Sequence, residues 1–187
     1  MEHEFTLSVF TEDKVGLLHR ITMIFTKRHI NLESFNASES EIKGVFRFTI
    51  VVHSTEDLIR KITKQVEKII GVLKAFYHYN DELVYQEIAL YKVPTKALAH
   101  GNDVEKIIRT YNARILTIEP EYAIIEKTGH KNETQELFNM LLPFGMLQFT
   151  RSGRVAVTKQ IKEITSYLIE LDEANKHSEK EILLINQ

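Results

Sequence analysis

The hydrophobic pattern at the start of the chain changes from a strand period to a helix period. Phe5, Leu7 and Val9 alternate with polar residues, a pattern that predicts a half-buried strand. After a polar turn over residues 11–15, apolar residues recur at spacings of three and four and predict a helix that ends near Arg28. The stripe of this helix consists of Leu17, Leu18, Ile21, Ile24 and Phe25.

The rest of the N-terminal half continues this rhythm of strands and helices. Lys43 and Gly44 predict a hairpin corner between two strands, and Gly71 is expected to stop a second amphipathic helix that Ser54 or Thr55 caps. The predicted elements are strands over residues 31–38, 46–52 and 72–79 and a helix whose stripe is Ile59, Ile62, Val66 and Ile69. The resulting order of strand, helix, strand, strand, helix, strand is typical of ferredoxin-like domains.

The same order of elements is predicted a second time after Asn80. The strands fall at residues 87–93, 114–118, 122–126 and 146–149, and the helices at residues 103–111 and from a cap at Asn132 to a stop at Pro143 and Gly145. Residues 155–157 are interpreted as an extension of the last strand, and an amphipathic pattern beginning at Ile161 predicts a helix outside both repeats. The sequence therefore predicts an α+β protein with two consecutive ferredoxin-like βαββαβ domains, residues 1–80 and 81–158, and a C-terminal helical tail, residues 159–187.

Gly16 lies at the first turn of the first helix, where a residue without a Cβ lets a ligand approach the backbone N–H groups closely. Those donors and the positive end of the helix dipole favour a carboxylate. A free amino acid would fit this turn, with its carboxylate on the N–H groups of Gly16 to Leu18, its ammonium near Asp13, and Leu17 or Leu32 as an apolar wall. Turn chemistry and helix capping are the commoner roles of a glycine and an aspartate at such positions, so both interpretations stay open here.

The composition excludes several classes of function. The chain of 187 residues is 43% hydrophobic and 27% charged, and none of its apolar runs approaches the roughly 20 residues of a membrane-spanning helix. It has no cysteine, which removes disulfides and thiolate chemistry, and its net charge is −2 without a basic run for nucleic acid. Because the N-terminus is acidic and lacks the apolar core of a signal peptide, a cytoplasmic protein without membrane or nucleic-acid partners is expected.

No catalytic or metal-binding residues are predicted. The histidines are scattered without the spacing of metal ligands, and the sequence has no nucleophile elbow or phosphate-binding loop. Residues 43–48 faintly resemble the aromatic strand of an RNA-binding module, but Val45 and Arg47 stand where stacking aromatic residues are expected. The sequence therefore disfavours both an independent enzyme and an RNA-binding module.

Three stretches of the sequence resemble a known family. Asp13-x-x-Gly16-Leu17-Leu18, followed by Asn31-Leu32-Glu33-Ser34-Phe35, is similar to an ACT domain, the small-molecule regulatory module of amino-acid metabolism. With residues 87–93 (EIALYKV) and Arg151-Ser152-Gly153 at matching separations, residues 4–158 resemble the small regulatory subunit of acetolactate synthase, also called acetohydroxyacid synthase. The resemblance rests on these motifs, since ferredoxin-like folds serve many functions.

This resemblance implies a non-catalytic regulatory subunit in the biosynthesis of the branched-chain amino acids valine, isoleucine and leucine. Small subunits of the family bind the large catalytic subunit, raise its activity and confer feedback inhibition by a branched-chain amino acid, commonly valine. The chain would need no cofactor of its own. Thiamine diphosphate, Mg²⁺ and FAD are expected on the catalytic subunit only.

The resemblance also implies an effector site shared by two copies of the chain. In the family the effector lies between the loop before the first helix of one ACT domain and the second strand of its neighbour. A homodimer through residues 1–80 is therefore expected. The residues at matching positions are Asp13, Gly16, Leu17 and Leu18 on one side and Asn31 and Leu32 on the other.

Three residues depart from the family pattern, and the tail after Lys159 is longer than in many relatives. Thr150 stands where a small residue is common before the Arg-Ser-Gly motif. The family often has Asn where Asp13 stands, which changes the charge offered to the effector. It often has Gly where His29 stands, and a positive φ at that helix end would cost His more than Gly. Because the ACT pattern alone names no partner, the alternative is a free-standing ACT-domain amino-acid sensor that regulates a different enzyme.

Overall fold

The computed structural model describes residues 1–99 and 103–159, and the predicted tail helix with its stripe of Ile161, Ile164, Leu168 and Leu171 lies outside those residues. Two short 3-10 turns, Asn80–Glu82 and Leu142–Phe144, supplement the regular elements. In chain order the elements are β1 (His3–Glu12), α1 (Leu17–Thr26), β2 (Leu32–Glu39), β3 (Val45–Ser54), α2 (Glu56–Val66), β4 (Val72–Tyr79), β5 (Leu83–Pro94), α3 (Thr95–Ala99), α4 (Asp103–Thr110), β6 (Arg114–Ile118), β7 (Tyr122–Gly129), α5 (Lys131–Leu141), β8 (Gln148–Arg151) and β9 (Val155–Thr158).

The strands form two antiparallel sheets with the same order of strands. The first sheet has the order β2-β3-β1-β4 and the second has the order β6-β7-β5-β8. In each sheet the first and third strands of the repeat lie at the centre, and the second and fourth lie at the edges. The α+β fold with two ferredoxin-like units is therefore confirmed.

Each sheet buries one face under its own helices. In the first unit Phe5, Leu7 and Val9 pack with α1 and α2, whose stripes are fully buried at residues such as Ile21 and Ile59. In the second unit Tyr91 lies at the centre of the corresponding core. Its hydroxyl donates a hydrogen bond to the carbonyl of Thr134 in α5 at 2.6 Å, which satisfies the buried phenol.

The other face of β1 is also buried, which differs from the half-buried strand that the alternation predicts. Thr6, Ser8 and Phe10 point away from the helices, yet all three are inaccessible to solvent. The guanidinium of Arg47 donates to the Ser8 hydroxyl at 3.4 Å and to the carbonyl of Ala156 in β9 at 2.6 Å. The second unit therefore covers the helix-free face of the first sheet.

Two predicted details are wrong, and one short helix is not predicted. Residues 155–158 form a separate strand, β9, which pairs with the N-terminal part of β5 instead of extending β8. The short helix α3 directly after Pro94 is not predicted, because five residues are too few to show a period. The N-cap of α5 is His130 rather than Asn132, which lies inside the helix.

The predicted strain at the end of α1 is present. His29 adopts a φ of 54°, in the left-handed region that glycine occupies more easily. Its backbone N–H donates to the carbonyl of Thr26 at 3.0 Å and so closes the C-terminal turn of the helix. Within residues 1–99 and 103–159, no helix combines the length and apolar character needed to cross a bilayer.

Candidate functional site

Gly16 forms the N-cap of α1 in the left-handed conformation, with a φ of 85°. Its carbonyl accepts the first helical hydrogen bond, from the N–H of Arg20 at 3.1 Å. Among residues 1–99 and 103–159 no side-chain hydrogen bond caps the first turn, and the first turn contains no acidic residue. A Cβ at Gly16 would meet nothing within 4 Å, so the backbone conformation requires glycine here and the space beside it is open. There is therefore free space beside the Cα of Gly16, next to the first turn of the helix.

The loop before α1 is tied to the sheet through its backbone while its side chains face solvent. The N–H of Asp13 donates to the carbonyl of Gly44 at 3.2 Å, and the Asp13 side chain is exposed. Val15 is fully exposed and Leu18 is 46% exposed, whereas Leu17 is buried in the first unit. Leu17 can therefore offer a ligand only its backbone N–H, and the exposed apolar surface of the loop comes from Val15 and Leu18.

Asn31 and Leu32 lie at the opposite end of the first sheet from this loop. Leu32 is aligned with Val52, which is aligned with Phe5 near the start of β1, whereas the loop follows Glu12 at the end of that strand. Seven residue steps of about 3.4 Å separate Phe5 from Glu12, so the two halves of the predicted site are roughly 24 Å apart within one chain. A single chain does not bring them together.

The position of β2 explains how they could meet in a pair of chains. In the first sheet β2 is an edge strand, so only one side of its backbone pairs with a strand of that sheet. Antiparallel pairing of two copies of β2 about a twofold axis would place the Leu32 end of one copy beside the Glu39 end of the other. The Glu39 end is the one nearest the loop, because Glu39 and Thr11 are both aligned with Phe46 of β3.

Two of the motifs recognised in the sequence contact each other across the two units. Gly153 of the Arg-Ser-Gly motif approaches β2 so closely that a Cβ there would lie 2.5 Å from the carbonyl oxygen of Phe35. The N–H of the next residue, Arg154, donates to the Ser34 hydroxyl at 2.9 Å. Glycine at position 153 is therefore required by this close approach to the backbone of the first unit.

Arg154 is the centre of a buried polar network between the units. Its guanidinium donates to the Glu4 carboxylate at 2.6 Å, to the Thr6 hydroxyl at 2.8 Å and to the Asn80 side-chain oxygen at 2.9 Å. It also lies over the ring of Tyr85, 3.8 Å from the ring centroid. The Arg154 side chain is only 4% exposed, so these contacts are largely shielded from water.

The charge of Glu4 is stabilised by this network. Burial by itself would raise the pKa of Glu4, but hydrogen bonds from Arg154 and Asn80 and the charges of Arg154 and His53 outweigh it and lower the pKa. The carboxylate therefore stays ionised and the contact with Arg154 stays charge-assisted at neutral pH.

A cleft of about 330 Å³ opens beside this network, between the start of β2 and the turn from β8 to β9. Lys131 at the start of α5 pairs with Glu33 of β2 at 3.3 Å across the cleft. On the side of the cleft formed by the second unit, the Nε of Arg151 lies 3.7 Å from the Glu87 carboxylate. The remaining lining residues are Glu4, Ser34, Phe35, Val51, Ser152, Gly153 and Arg154. Among residues 1–99 and 103–159, no cluster of acidic residues and histidines has the arrangement of a metal site.

Comparison with known proteins gives the family of the chain. The family model for the small subunit of acetolactate synthase matches residues 86–160, and the AHAS small subunit-like ACT domain matches residues 7–74. The acetolactate synthase small subunit of Mycobacterium bovis is 34% identical over 154 residues, which cover 82% of this chain and 91% of that protein. The chain belongs to the family of acetolactate synthase small subunits.

Further relatives agree with this assignment. The acetolactate synthase small subunit of Bacillus subtilis is 34% identical over 167 residues, covering 89% of this chain and 95% of that protein. The crystal structure of the small subunit from Thermotoga maritima superposes with a TM-score of 0.76 at 26% identity, covering 86% of this chain and 99% of that one. Small subunits are the regulatory rather than the catalytic component of the synthase, so the large catalytic subunit is the partner of this chain.

The structure brings together polar residues that the sequence does not connect. Arg154 follows the Arg-Ser-Gly motif directly, but its partners Glu4 and Asn80 lie 150 and 74 residues away in sequence. Glu87 and Lys131 line the cleft although neither belongs to a motif with a known chemistry. One signal in the sequence could have indicated the cleft. Glu87 is a charged residue at a position of β5 where the alternation predicts a buried side chain.

Proposed function

We propose that this small subunit activates the thiamine-diphosphate-dependent catalytic subunit of acetolactate synthase and confers feedback inhibition by a branched-chain amino acid. Membership of the family supports the synthase as the target over a different enzyme regulated by a free-standing ACT sensor. Thiamine diphosphate, Mg²⁺ and FAD belong in this proposal to the catalytic subunit.

The observation that carries the effector site is the uncapped N-terminus of α1. Gly16 leaves open space in front of N–H groups that no side chain of the first turn satisfies. An effector carboxylate would accept hydrogen bonds from the N–H groups of Leu17 and Leu18 and gain from the helix dipole. Asp13 would face the ammonium, and the exposed side chain of Leu18 would contact the aliphatic side chain.

The second half of the effector site would come from a second copy of the chain. Asn31 and Leu32 lie too far from the loop to reach it within one chain, and antiparallel pairing of two β2 strands supplies the required proximity. The proposal therefore includes a homodimer through the first unit. Light scattering of the isolated subunit at micromolar concentration is expected to give the mass of a dimer, and a monomer both with and without valine would contradict it.

The effector site is tested by Gly16→Asp in the complex with the cognate large subunit. The new carboxylate would repel the effector carboxylate and occupy the open space, so acetolactate formation is expected to continue with inhibition by valine reduced at least about tenfold in sensitivity. The matched control is Gly145→Asp. Gly145 has a φ of 84°, within a degree of Gly16, so it carries the same backbone strain in the second unit.

Inhibition that is unchanged in folded Gly16→Asp would place the effector elsewhere. Equal loss of inhibition in Gly16→Asp and Gly145→Asp would indicate strain rather than occupation of a site. Thermal unfolding with each branched-chain amino acid identifies the effector independently, since a ligand that binds only the folded state raises the melting temperature.

A further inference from the structure

Glu87 in β5 is a buried carboxylate that faces the cleft between the two units. It is 5% exposed, and the part of the chain that the structure describes donates no hydrogen bond to it. The nearest cation is the Nε of Arg151 at 3.7 Å, beyond hydrogen-bond distance. That Nε is itself buried without a hydrogen-bond partner. Nη2 of Arg151 donates to the side-chain oxygen of Gln135 at 3.1 Å, but its Nε makes no hydrogen bond among the described residues and lies beside the Glu87 carboxylate without reaching it. Both groups can therefore still bind a polar ligand at this end of the cleft.

The neighbouring charges of the cleft are better satisfied. Glu4 is held by Arg154 and Asn80, and Glu33 pairs with Lys131 at the more exposed mouth. The lining contains three carboxylates and three cationic side chains, so it carries no net charge. A ligand with a net charge would unbalance it, whereas a ligand with one positive and one negative group would complement it. The acidic side chains are Glu4, Glu33 and Glu87, and the basic ones are Lys131, Arg151 and Arg154.

The cleft also has an apolar wall and a suitable size. Phe35 and Val51 of the first unit line it beside the charged residues. Its volume of about 330 Å³ lies at the lower end of ligand pockets and suits a small metabolite better than a nucleotide. An apolar surface together with separated charges of both signs matches the chemistry of an α-amino acid with an aliphatic side chain.

We propose that the cleft between the two units is a second binding site, which takes a small zwitterion of the α-amino acid class. The ammonium of the ligand would lie on Glu87, and its carboxylate would be held by Arg151 and Lys131. None of the six residues of the proposed effector site lines the cleft, although Glu33 of the cleft directly follows Leu32 of that site. Its residues come from both units, so a bound ligand would hold β2 of the first unit against α5 and the Arg-Ser-Gly turn of the second.

The test uses the full chain with Gly16→Asp, so that binding at the loop before α1 is removed. Each of the twenty common L-amino acids is added at millimolar concentration, and the melting temperature is measured. At least one is expected to raise it, and its dissociation constant is then determined by calorimetry. Adding Glu87→Gln removes the charge that the ligand ammonium would meet, and the affinity is expected to fall about tenfold to a hundredfold. Glu119→Gln, which removes an exposed carboxylate outside the cleft, should leave the affinity unchanged.

A second cleft variant and two ligand analogues test the proposal independently of Glu87→Gln. Lys131→Met changes an exposed residue at the mouth of the cleft and should weaken binding of the amino acid several-fold. This variant provides the test if Glu87→Gln fails to fold. Two analogues of the amino acid that responds are also tested: the amine that lacks its carboxylate and the carboxylic acid that lacks its ammonium. Each analogue should bind much more weakly than the zwitterion. The proposal is overturned if no amino acid stabilises the Gly16→Asp chain, if the affinity survives the cleft substitutions, or if a one-ended analogue binds equally well. Since the assay reads binding to the isolated subunit, failure of the proposed regulation of the synthase would not affect it.

Discussion

Replacing Arg154 by Met removes the polar network that joins the two units and should be strongly destabilising. Three hydrogen bonds are lost, including the charge-assisted one to Glu4, and the buried hydroxyl of Thr6 loses its donor. Hydrogen bonds to charged groups contribute about 1.5–3 kcal/mol each but are not additive. Glu4 is 22% exposed, so water can partly replace its lost partner. We therefore expect the free energy of unfolding to fall by about 3–4 kcal/mol.

Equilibrium unfolding in urea, followed by circular dichroism, measures this loss. Arg109→Met is the matched control, because Arg109 is 84% exposed and its contact with Glu105 is at 4.0 Å, so its removal should change stability by no more than about 0.5 kcal/mol. A double-mutant cycle of Arg154→Met with Glu4→Gln should give a coupling energy of about 1–3 kcal/mol. A loss below about 1 kcal/mol for Arg154→Met, or strict additivity in the cycle, would refute the reasoning.

Three further predictions follow from positions already described. Gly153→Ala places a Cβ against the Phe35 carbonyl and should lower the free energy of unfolding by about 1–3 kcal/mol in the same urea assay, and a neutral effect would show that the turn can shift freely. His29→Gly should stabilise the chain by about 1 kcal/mol by relieving the left-handed φ, which calorimetry would contradict if the melting temperature fell. The pKa of Glu4 is lowered on folding, so its contribution is present above its ordinary value of 4.5 and is lost as the pH falls through the lowered value. Glu4→Gln should therefore destabilise the chain clearly near about pH 7 and little near about pH 3, and an equal effect at both would contradict the contact with Arg154.

The repeated order of elements could be predicted from the sequence because each element has its own local signal. The stripe of α1, the alternation of β3 and the glycine at position 71 depend on neighbours a few residues away. The burial of β1 on both faces could not be predicted in the same way. Thr6 and Ser8 are polar as on a solvated face, but their partners Arg154 and Arg47 lie in other strands or turns. An alternation of hydrophobic and polar residues cannot distinguish a face in water from a face under a polar network.

The candidate site also has local features that the sequence predicts and long-range features that it does not. The accessible first turn of α1 is a local feature that the motif around Gly16 predicts, whereas the positive φ of Gly16 is a finding of the structure. The separation of Asn31 from that turn depends on the register of β1, β3 and β2, which only the structure gives. The cleft at Glu87 depends on contacts between residues 64 to 150 positions apart, from Glu87 with Arg151 to Glu4 with Arg154, so no window of sequence contains its signal.

The burial of the helix-free face of β1 has a consequence for the order in which the protein is completed during synthesis. The first sheet has all its strands once Tyr79 has been made, but Arg154 follows 75 residues later. At about 5–20 residues per second this interval lasts roughly 4–15 s, longer than most small domains need to fold. During that time Thr6 and Arg47 of the nascent chain lack the partners that the second unit supplies, and the buried polar contacts are completed only by Arg154 and Ala156. A ribosome that stalls between these two points would hold a first sheet whose helix-free face lies in water, with polar residues that the second unit has not yet paired and buried.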